Sequence, residues 1–213
     1  MMDKAHDALT RRLETAPIVP LIGEDDPVRA VDIALALKAG GLTALEVVLR
    51  SDNALAGLAA IRKADDDLIV GAGTVLTPDY YHAAKQAGAQ FIVSPGLVDP
   101  LVEAAMSDDL PIFPGTMTAG EVQRAYALGL RSVKFFPASL AGGVPMLKAF
   151  GSVFRGMRFM PTGGISASNL ADYLAVPHVL ACGGSWLTPK GADPQAMEAL
   201  ARDALLIAGH ARG

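Results

Sequence analysis

The amino-acid sequence predicts an α/β protein folded as a compact (β/α)8 (TIM) barrel with an N-terminal helix. Short apolar runs alternate with stretches rich in Ala and Leu, the pattern of strands that are each followed by a crossover helix. Eight such runs occur, spaced by 20 to 27 residues, close to the minimum for one strand, one helix and two turns. Eight units favour a closed barrel. An open doubly wound sheet is the alternative, although its GxGxxG turn is absent.

The expected strands are recognised in chain order by their apolar cores. They begin at Pro17 (PIVPLIG), Ala44 (ALEVVLR), Leu68 (LIVGAGTV), Gln90 (QFIVSPG), Leu110 (LPIFPGT), Ser132 (SVKFFPA), Arg158 (RFMPTGG) and His178 (HVLACGGSWL). An N-cap acceptor followed by proline predicts helix starts at Asp26-Pro27, Thr77-Pro78, Asp99-Pro100 and Asp193-Pro194, and Thr118 with Glu121 fits a capping box. Residues 1–16 are expected to form an amphipathic helix, and residues 1–213 a single domain.

Composition and charge exclude several classes of protein. With 18 basic against 22 acidic side chains, the chain has no basic surplus for nucleic acid. No run approaches the roughly 20 apolar residues of a membrane-spanning helix, and the N-terminus lacks the apolar region of a secretory signal. The single cysteine, Cys182, cannot form an intrachain disulfide, and the four histidines do not share the spacing of metal ligands. We therefore expect a cytoplasmic protein without membrane contact or a metal site.

Charged side chains are rare in the expected strands. Glu46 and Arg50 lie four residues apart in the second strand and share a face, and Lys134 shares a face of the sixth strand with Phe136. If these faces point inward, three charges meet inside the barrel. They could form a structural salt-bridge network. Alternatively, the buried amine of Lys134 attacks a carbonyl substrate to form a Schiff base, with Glu46 as the acid/base that transfers protons.

Paired glycines follow the seventh and eighth strands, in a Thr-Gly-Gly turn at 162–164 and a Gly-Gly-Ser turn at 183–185. Barrels of this kind often hold a phosphate between these two loops. Glycine lets backbone N–H groups approach anionic oxygens, and Ser166 and Ser185 add hydroxyl donors. One glycine pair would be explained by a tight turn alone, but two pairs at these positions predict a phosphorylated or otherwise anionic substrate.

In their order and spacing, the runs LEVVLR, VGAGTVL, FIVSPGL, VKFFPA, PTGGIS and CGGSWL resemble the family of 2-keto-3-deoxy-6-phosphogluconate (KDPG) and 2-keto-4-hydroxyglutarate (KHG) aldolases. The resemblance covers nearly the whole chain. It implies a homotrimeric (β/α)8 barrel with class I aldolase activity, without metal or cofactor. The implied reaction is the Entner–Doudoroff cleavage of KDPG to pyruvate and glyceraldehyde 3-phosphate, with KHG, cleaved to pyruvate and glyoxylate, as a second substrate.

The resemblance also implies a role for each matching residue. Lys134 matches the Schiff-base lysine and Glu46 the general acid/base. Of the other matching positions, Arg50 and Thr74 correspond to the carboxylate site, Pro95 and Phe136 to pocket walls, Thr162 to a substrate hydroxyl contact, and Gly163, Gly164 and Ser185 to the phosphate site. Arg50 and Thr162 favour the gluconate substrate over its galactonate epimer, because the galactonate enzymes tend to lack both.

Two departures from the family pattern leave the aldehyde preference open. Val48 stands where threonine is usual, and the Thr116-Met117 pair stands where smaller or aliphatic residues are usual. Two other functions compete with the aldolase on the residues alone. A metal-free isomerase or epimerase would use Glu46 and leave Lys134 as an electrostatic stabiliser, and a non-catalytic phosphosugar-binding barrel would need only the glycine loops. The remaining lysines, Lys190 among them, are expected at exposed positions.

Overall fold

The computed structural model describes residues 4–212, and side chains for residues 8–211. The strands are β1 (Ile18–Ile22), β2 (Ala44–Val48), β3 (Ile69–Gly73), β4 (Ile92–Val93), β5 (Ile112–Phe113), β6 (Gly115–Thr116), β7 (Ser132–Phe135), β8 (Arg158–Pro161) and β9 (Cys182–Gly184). The helices are α1 (Lys4–Thr15), α2 (Pro27–Ala39), α3 (Ala54–Ala64), α4 (Pro78–Gln86), α5 (Asp99–Ser107), α6 (Ala119–Ala127), α7 (Gly143–Val153), α8 (Leu170–Leu174) and α9 (Pro194–Arg212). Within the described range, no helix is both long and apolar enough to cross a membrane.

The strands are parallel and close into a barrel. They neighbour one another in the orders β5-β4-β3-β2-β1-β9 and β6-β7-β8. β5 and β6 are two halves of the fifth barrel strand, interrupted at Pro114, whose nitrogen has no hydrogen to donate. Bridges Phe159–Val179 and Thr162–Gly183 join β8 to the β9 region, and β9 also pairs with β1. The predicted (β/α)8 barrel is confirmed, and the open-sheet alternative is wrong because the first and last strands pair.

Side chains alternate between the helix layer and the barrel axis. In β2, Leu45 and Val47 pack into the outer cluster that the helices cover. An inner cluster fills the N-terminal half of the barrel, with Val19, Ala44, Phe91, Phe113 and Met160 among its members. Leu9 and Leu13 of α1 belong to this inner cluster, so α1 closes the N-terminal end of the barrel. Because Glu46 shares the inward face of β2 with Ala44, it points to the axis above this apolar plug.

The helix starts follow the cap residues of the sequence, with one exception. The side chains of Asp26, Thr77 and Asp193 accept backbone N–H groups at the starts of α2, α4 and α9, and the capping box of α6 is formed. Asp99 was expected as the cap of α5, but it is the first residue of that helix. Its carboxylate is ion-paired with Arg124 of α6, a partner that local sequence does not reveal.

Candidate active site

A pocket of about 1000 Å³ opens at the carboxyl ends of the barrel strands. Its wall includes the following residues that the sequence singles out: Arg50, Lys134, Phe136, Thr162, Gly163, Gly164 and Ser185. Positions separated by more than 130 residues in the chain therefore meet at one opening. This is the end of a (β/α)8 barrel at which chemistry is found.

Lys134 enters the pocket from the middle of β7. Strand pairing places it between Gly115 and Met160, and its side chain is 4% exposed. The Nζ atom lies 4.9 Å from the centroid of the Phe136 ring, the next residue on the same face of the chain. The amine thus sits at the buried floor of the pocket, against an aromatic face.

Glu46 lies behind the pocket wall, fully buried on β2. Within the described part of the chain, neither of its carboxylate oxygens has a hydrogen-bond partner. Burial raises the pKa of Glu46, and the positive charges of Lys134 and Arg50 oppose this rise without cancelling it. A carboxyl group with a raised pKa and a nearby amine is suited to donate and accept protons near neutral pH.

Gly73 makes room for this carboxylate. A Cβ atom built on Gly73 would overlap the Glu46 side chain, so a larger residue would displace the carboxyl group. Sequence reasoning did not single out Gly73. The available indication was a glycine inside an apolar strand, which often marks a close approach of another group.

Arg50 is positioned by Thr74, the residue that follows Gly73. Its Nε atom donates a hydrogen bond of 3.2 Å to the hydroxyl of Thr74. Thr74 has a φ of 61°, in the left-handed region that non-glycine residues seldom occupy, at a typical cost of about 1–3 kcal/mol. This conformation and the hydrogen bond hold the guanidinium at the pocket wall, and its remaining donors are available for an anion.

The glycine turn after β8 forms a second, uncharged part of the wall. Gly163 and Gly164 have φ values of 94° and 78°, and a Cβ atom on Gly164 would overlap the side chain of Ser139. Ser185 faces this turn from the end of β9. Because α8 begins only at Leu170, the backbone donors here belong to the loop itself.

Some of the residues singled out from the sequence lie away from the pocket wall. The hydroxyl of Ser166 is paired with that of Ser168 at 2.9 Å, and Pro95 packs its carbonyl group against Gly115. Thr116 is buried, and its hydroxyl donates to the carbonyl oxygen of Lys134 at 3.0 Å. Of the two departures from the family pattern, Val48 alone lines the pocket.

Comparison with known proteins identifies the family of this chain. Residues 9–201 match the aldolase family described as KDPG and KHG aldolase. The 2-dehydro-3-deoxy-phosphogluconate aldolase of Pseudomonas aeruginosa is 45% identical over 207 residues, covering 92% of this chain and 93% of that protein. The chain belongs to the KDPG and KHG aldolase family.

Two solved structures of such aldolases share the fold. The Zymomonas mobilis KDPG aldolase with 3-phosphoglycerate has a TM-score of 0.90 and 40% identity, covering 97% of each chain. The Legionella pneumophila KDPG aldolase, with pyruvate captured as a covalent carbinolamine, has a TM-score of 0.88 and 37% identity, covering 92% of this chain and 97% of that one.

The pocket of this KDPG/KHG aldolase family member extends beyond the residues that sequence reasoning selected. Its outer wall also contains Glu24, Asp25, Arg29, Thr188 and Lys190. These residues lie on the loops after β1 and β9 and on α2. Their side chains are polar and follow no motif, so sequence alone does not separate them from ordinary surface residues.

Glu46→Gln is expected to stabilise the fold at neutral and alkaline pH. Because folding raises the pKa of Glu46 above 4.5, its contribution to stability is complete below that pH and is lost as pH rises through the folded-state pKa. Glutamine does not ionise. Thermal unfolding should therefore show similar melting temperatures at pH ~4 and a higher one for the variant at pH ~8, by about 2–4 °C per kcal/mol gained.

The matched control is Glu103→Gln, which changes an exposed carboxyl group on α5. This variant should show no pH-dependent gain. Equal destabilisation of Glu46→Gln at both pH values would contradict this expectation. It would show that ionisation of the buried carboxyl group does not lower the stability of the fold.

Proposed function

We propose that this protein is a class I aldolase that cleaves KDPG to pyruvate and glyceraldehyde 3-phosphate through an imine on Lys134. KHG, cleaved to pyruvate and glyoxylate, is the second substrate of the same site. The observation that supports this most strongly is the buried lysine at the pocket floor beside a buried carboxyl group with a raised pKa. The 45% sequence identity to a KDPG aldolase, in an alignment that covers 92% of the chain, supports the same reaction.

The proposed reaction uses the amine as nucleophile and the carboxyl group as proton carrier. The uncharged amine of Lys134 attacks C2 of the keto acid to give a carbinolamine, whose hydroxyl group leaves as water after Glu46 donates a proton. Glu46, now a carboxylate, accepts the proton of the C4 hydroxyl while the C3–C4 bond breaks. The electron pair of that bond moves into the iminium, which leaves an enamine and releases the aldehyde.

The cycle closes by protonation and hydrolysis. The enamine takes at C3 the proton that Glu46 accepted from the C4 hydroxyl, and it becomes the iminium of pyruvate. Water adds to this iminium, pyruvate leaves, and the amine of Lys134 is regenerated. Throughout, the iminium is the electron sink for the bond that breaks.

The remaining wall residues hold the substrate on either side of the reacting bond. We assign the pyruvyl carboxylate to Arg50, supported by Thr74, and the phosphate to the amides of Gly163 and Gly164 with the hydroxyl of Ser185. In this proposal Phe136 forms the wall beside C2. We assign a substrate hydroxyl to Thr162, which is 3% exposed at the end of β8, and to Pro95 a packing contact with Gly115 behind the wall.

Turnover of KDPG in the presence of EDTA tests the function. Pyruvate release, measured with lactate dehydrogenase and NADH, should be unchanged by the chelator, because an iminium does the work that a metal does in other aldolases. Among residues 8–211, no group of three or more His, Cys, Asp and Glu side chains is placed to hold a metal ion. Absence of pyruvate, or chelator-sensitive activity restored by one divalent ion, would contradict the proposal.

Three further assignments complete the proposal. We assign residues 1–213 to a single domain, and the pairing of β1 with β9 supports this assignment. Three copies assemble, which large exposed apolar side chains such as Val28, Leu140 and Val153 support, and light scattering should give three times 22.0 kDa. The enzyme works in the cytoplasm, where phosphorylated sugar acids are retained because their charges oppose transfer into lipid.

A further inference from the structure

The pocket continues outward past Ser185 along the loop that follows β9. Thr188, Pro189, Lys190 and Gly191 of this loop line its outer wall. Apart from Lys134, Lys190 is the lysine on this wall within the described side chains. Its side chain is exposed, whereas that of Lys134 is buried.

The loop that carries Lys190 has a defined conformation. The amide of Ala192 donates to the carbonyl of Pro189 at 3.1 Å, and Gly191 has a φ of 81°. These features are typical of a type II turn, with glycine at its third position. Lys190 occupies the second position of this turn, at the tip of the loop.

Both ends of the turn are attached to the barrel. The hydroxyl of Thr188 donates to the carbonyl of Leu21 at 2.7 Å, and a guanidinium nitrogen of Arg29 donates to the carbonyl of Ala192 at 3.2 Å. Leu21 belongs to β1 and Arg29 to α2. The backbone of Lys190 is therefore held over the pocket mouth, and only its flexible side chain has to be ordered by a ligand.

The charges around the mouth make Lys190 distinctive. Arg29 is paired with Glu24 at 3.0 Å, and Asp25 accepts the backbone N–H of Asn53. Among the described side chains, Lys190 has no carboxylate partner within ion-pair distance. The glycine amides and the Ser185 hydroxyl are neutral donors, and the charge of Arg29 is offset by that of Glu24. A phosphate dianion held by these donors would face the Asp25 carboxylate, and the ammonium group of Lys190 is the charge that can compensate for it.

We propose that Lys190 is a specificity-determining residue whose ammonium group binds the terminal phosphate of the substrate. This inference rests on the proposed function, since it deepens the assignment of the phosphate site. Lys190 would favour aldehydes with a terminal dianion over their unphosphorylated analogues. Because its side chain is exposed on the loop after β9 while the amine of Lys134 is buried on β7, it would act on substrate affinity and leave imine chemistry unchanged.

Aldol addition of pyruvate tests this with two aldehydes that differ only by the phosphate. The variants are Lys190→Met, which removes the charge, and Lys190→Arg, which keeps it. The matched control is Lys63→Met, at an exposed position on α3 away from the pocket. For glyceraldehyde 3-phosphate, Lys190→Met should lower kcat/KM by about 5- to 20-fold, mostly through KM, as expected for a charge-assisted contact.

The other arms give distinct expectations. With unphosphorylated glyceraldehyde, Lys190→Met should stay within about twofold of wild type, Lys190→Arg should retain the preference, and the deficit should shrink with added salt. Equal losses with both aldehydes, no loss with either, or the same loss in Lys63→Met would overturn the inference. In each variant, borohydride trapping of pyruvate at Lys134 reports the imine independently, so failure of the phosphate assignment is distinguishable from failure of the aldolase function.

Discussion

Lys134→Ala is expected to abolish both turnover and covalent capture of pyruvate. Borohydride reduction of the pyruvate imine should add one lactyl group per chain to the wild-type protein, and peptide mapping should place it on Lys134. Alanine has no amine, so the variant should accept none. Loss of the covalent route removes the electron sink for C3–C4 cleavage, and pyruvate release from KDPG should fall to background.

The control is Lys148→Ala, which removes an exposed lysine on α7 and should be labelled as wild type. Label on any lysine other than Lys134 would contradict the assignment of β7 to the active site. Sugar isomerisation or epimerisation without any label would favour the metal-free isomerase or epimerase. Binding of the phosphosugar with neither label nor turnover would favour the non-catalytic barrel.

Glu46→Gln is expected to lower turnover of KDPG by roughly 10²- to 10⁴-fold, the usual contribution of a positioned acid/base. The amine remains, so the pyruvate imine should still form, but slowly, because dehydration of the carbinolamine loses its proton donor. Stopped-flow or quenched borohydride trapping measures imine formation, and the coupled assay measures turnover. The two rates should respond to the substitution to different extents.

Glu103→Gln is the control for this variant too, and it should retain wild-type turnover. Near-normal turnover of Glu46→Gln would contradict the role given to Glu46. Complete loss of imine formation with intact folding would also contradict this role. It would show that Glu46 is needed for the reactivity of the Lys134 amine and not for proton transfer. The melting temperature of the same preparation separates this outcome from misfolding.

The barrel was predictable because its determinants are local. The two-residue period of the strands, the turn glycines and the cap residues are each encoded within a few positions. The number of times that this pattern repeats gives the number of β/α units. The same period placed Glu46 with Arg50, and Lys134 with Phe136, on common strand faces. The inward direction of these faces was favoured because a lone charge under the helix layer would have neither a partner nor water.

Contacts between distant segments were not predictable. Asp99 is ion-paired with Arg124, which lies 25 residues further along the chain. Gly73 leaves room for the side chain of Glu46 on the neighbouring strand, and Thr74 adopts a left-handed conformation beside Arg50. In each case the deciding partner lies on another element. Local sequence patterns do not reveal these contacts, because the barrel brings together elements that are separate in the chain.

The sequence by itself therefore determined the fold, the order of the strands and the strand faces on which Glu46, Arg50 and Lys134 lie. The tertiary structure decided how far the pocket extends and which charges remain free in it. Lys190 illustrates the difference, since hydrogen bonds spanning 167 and 163 residues of chain hold its loop over the pocket mouth. Periodicity depends on residues that are neighbours in the chain, whereas a binding site depends on residues that are neighbours in space. Barrel closure, which pairs β1 with β9, brings such residues together.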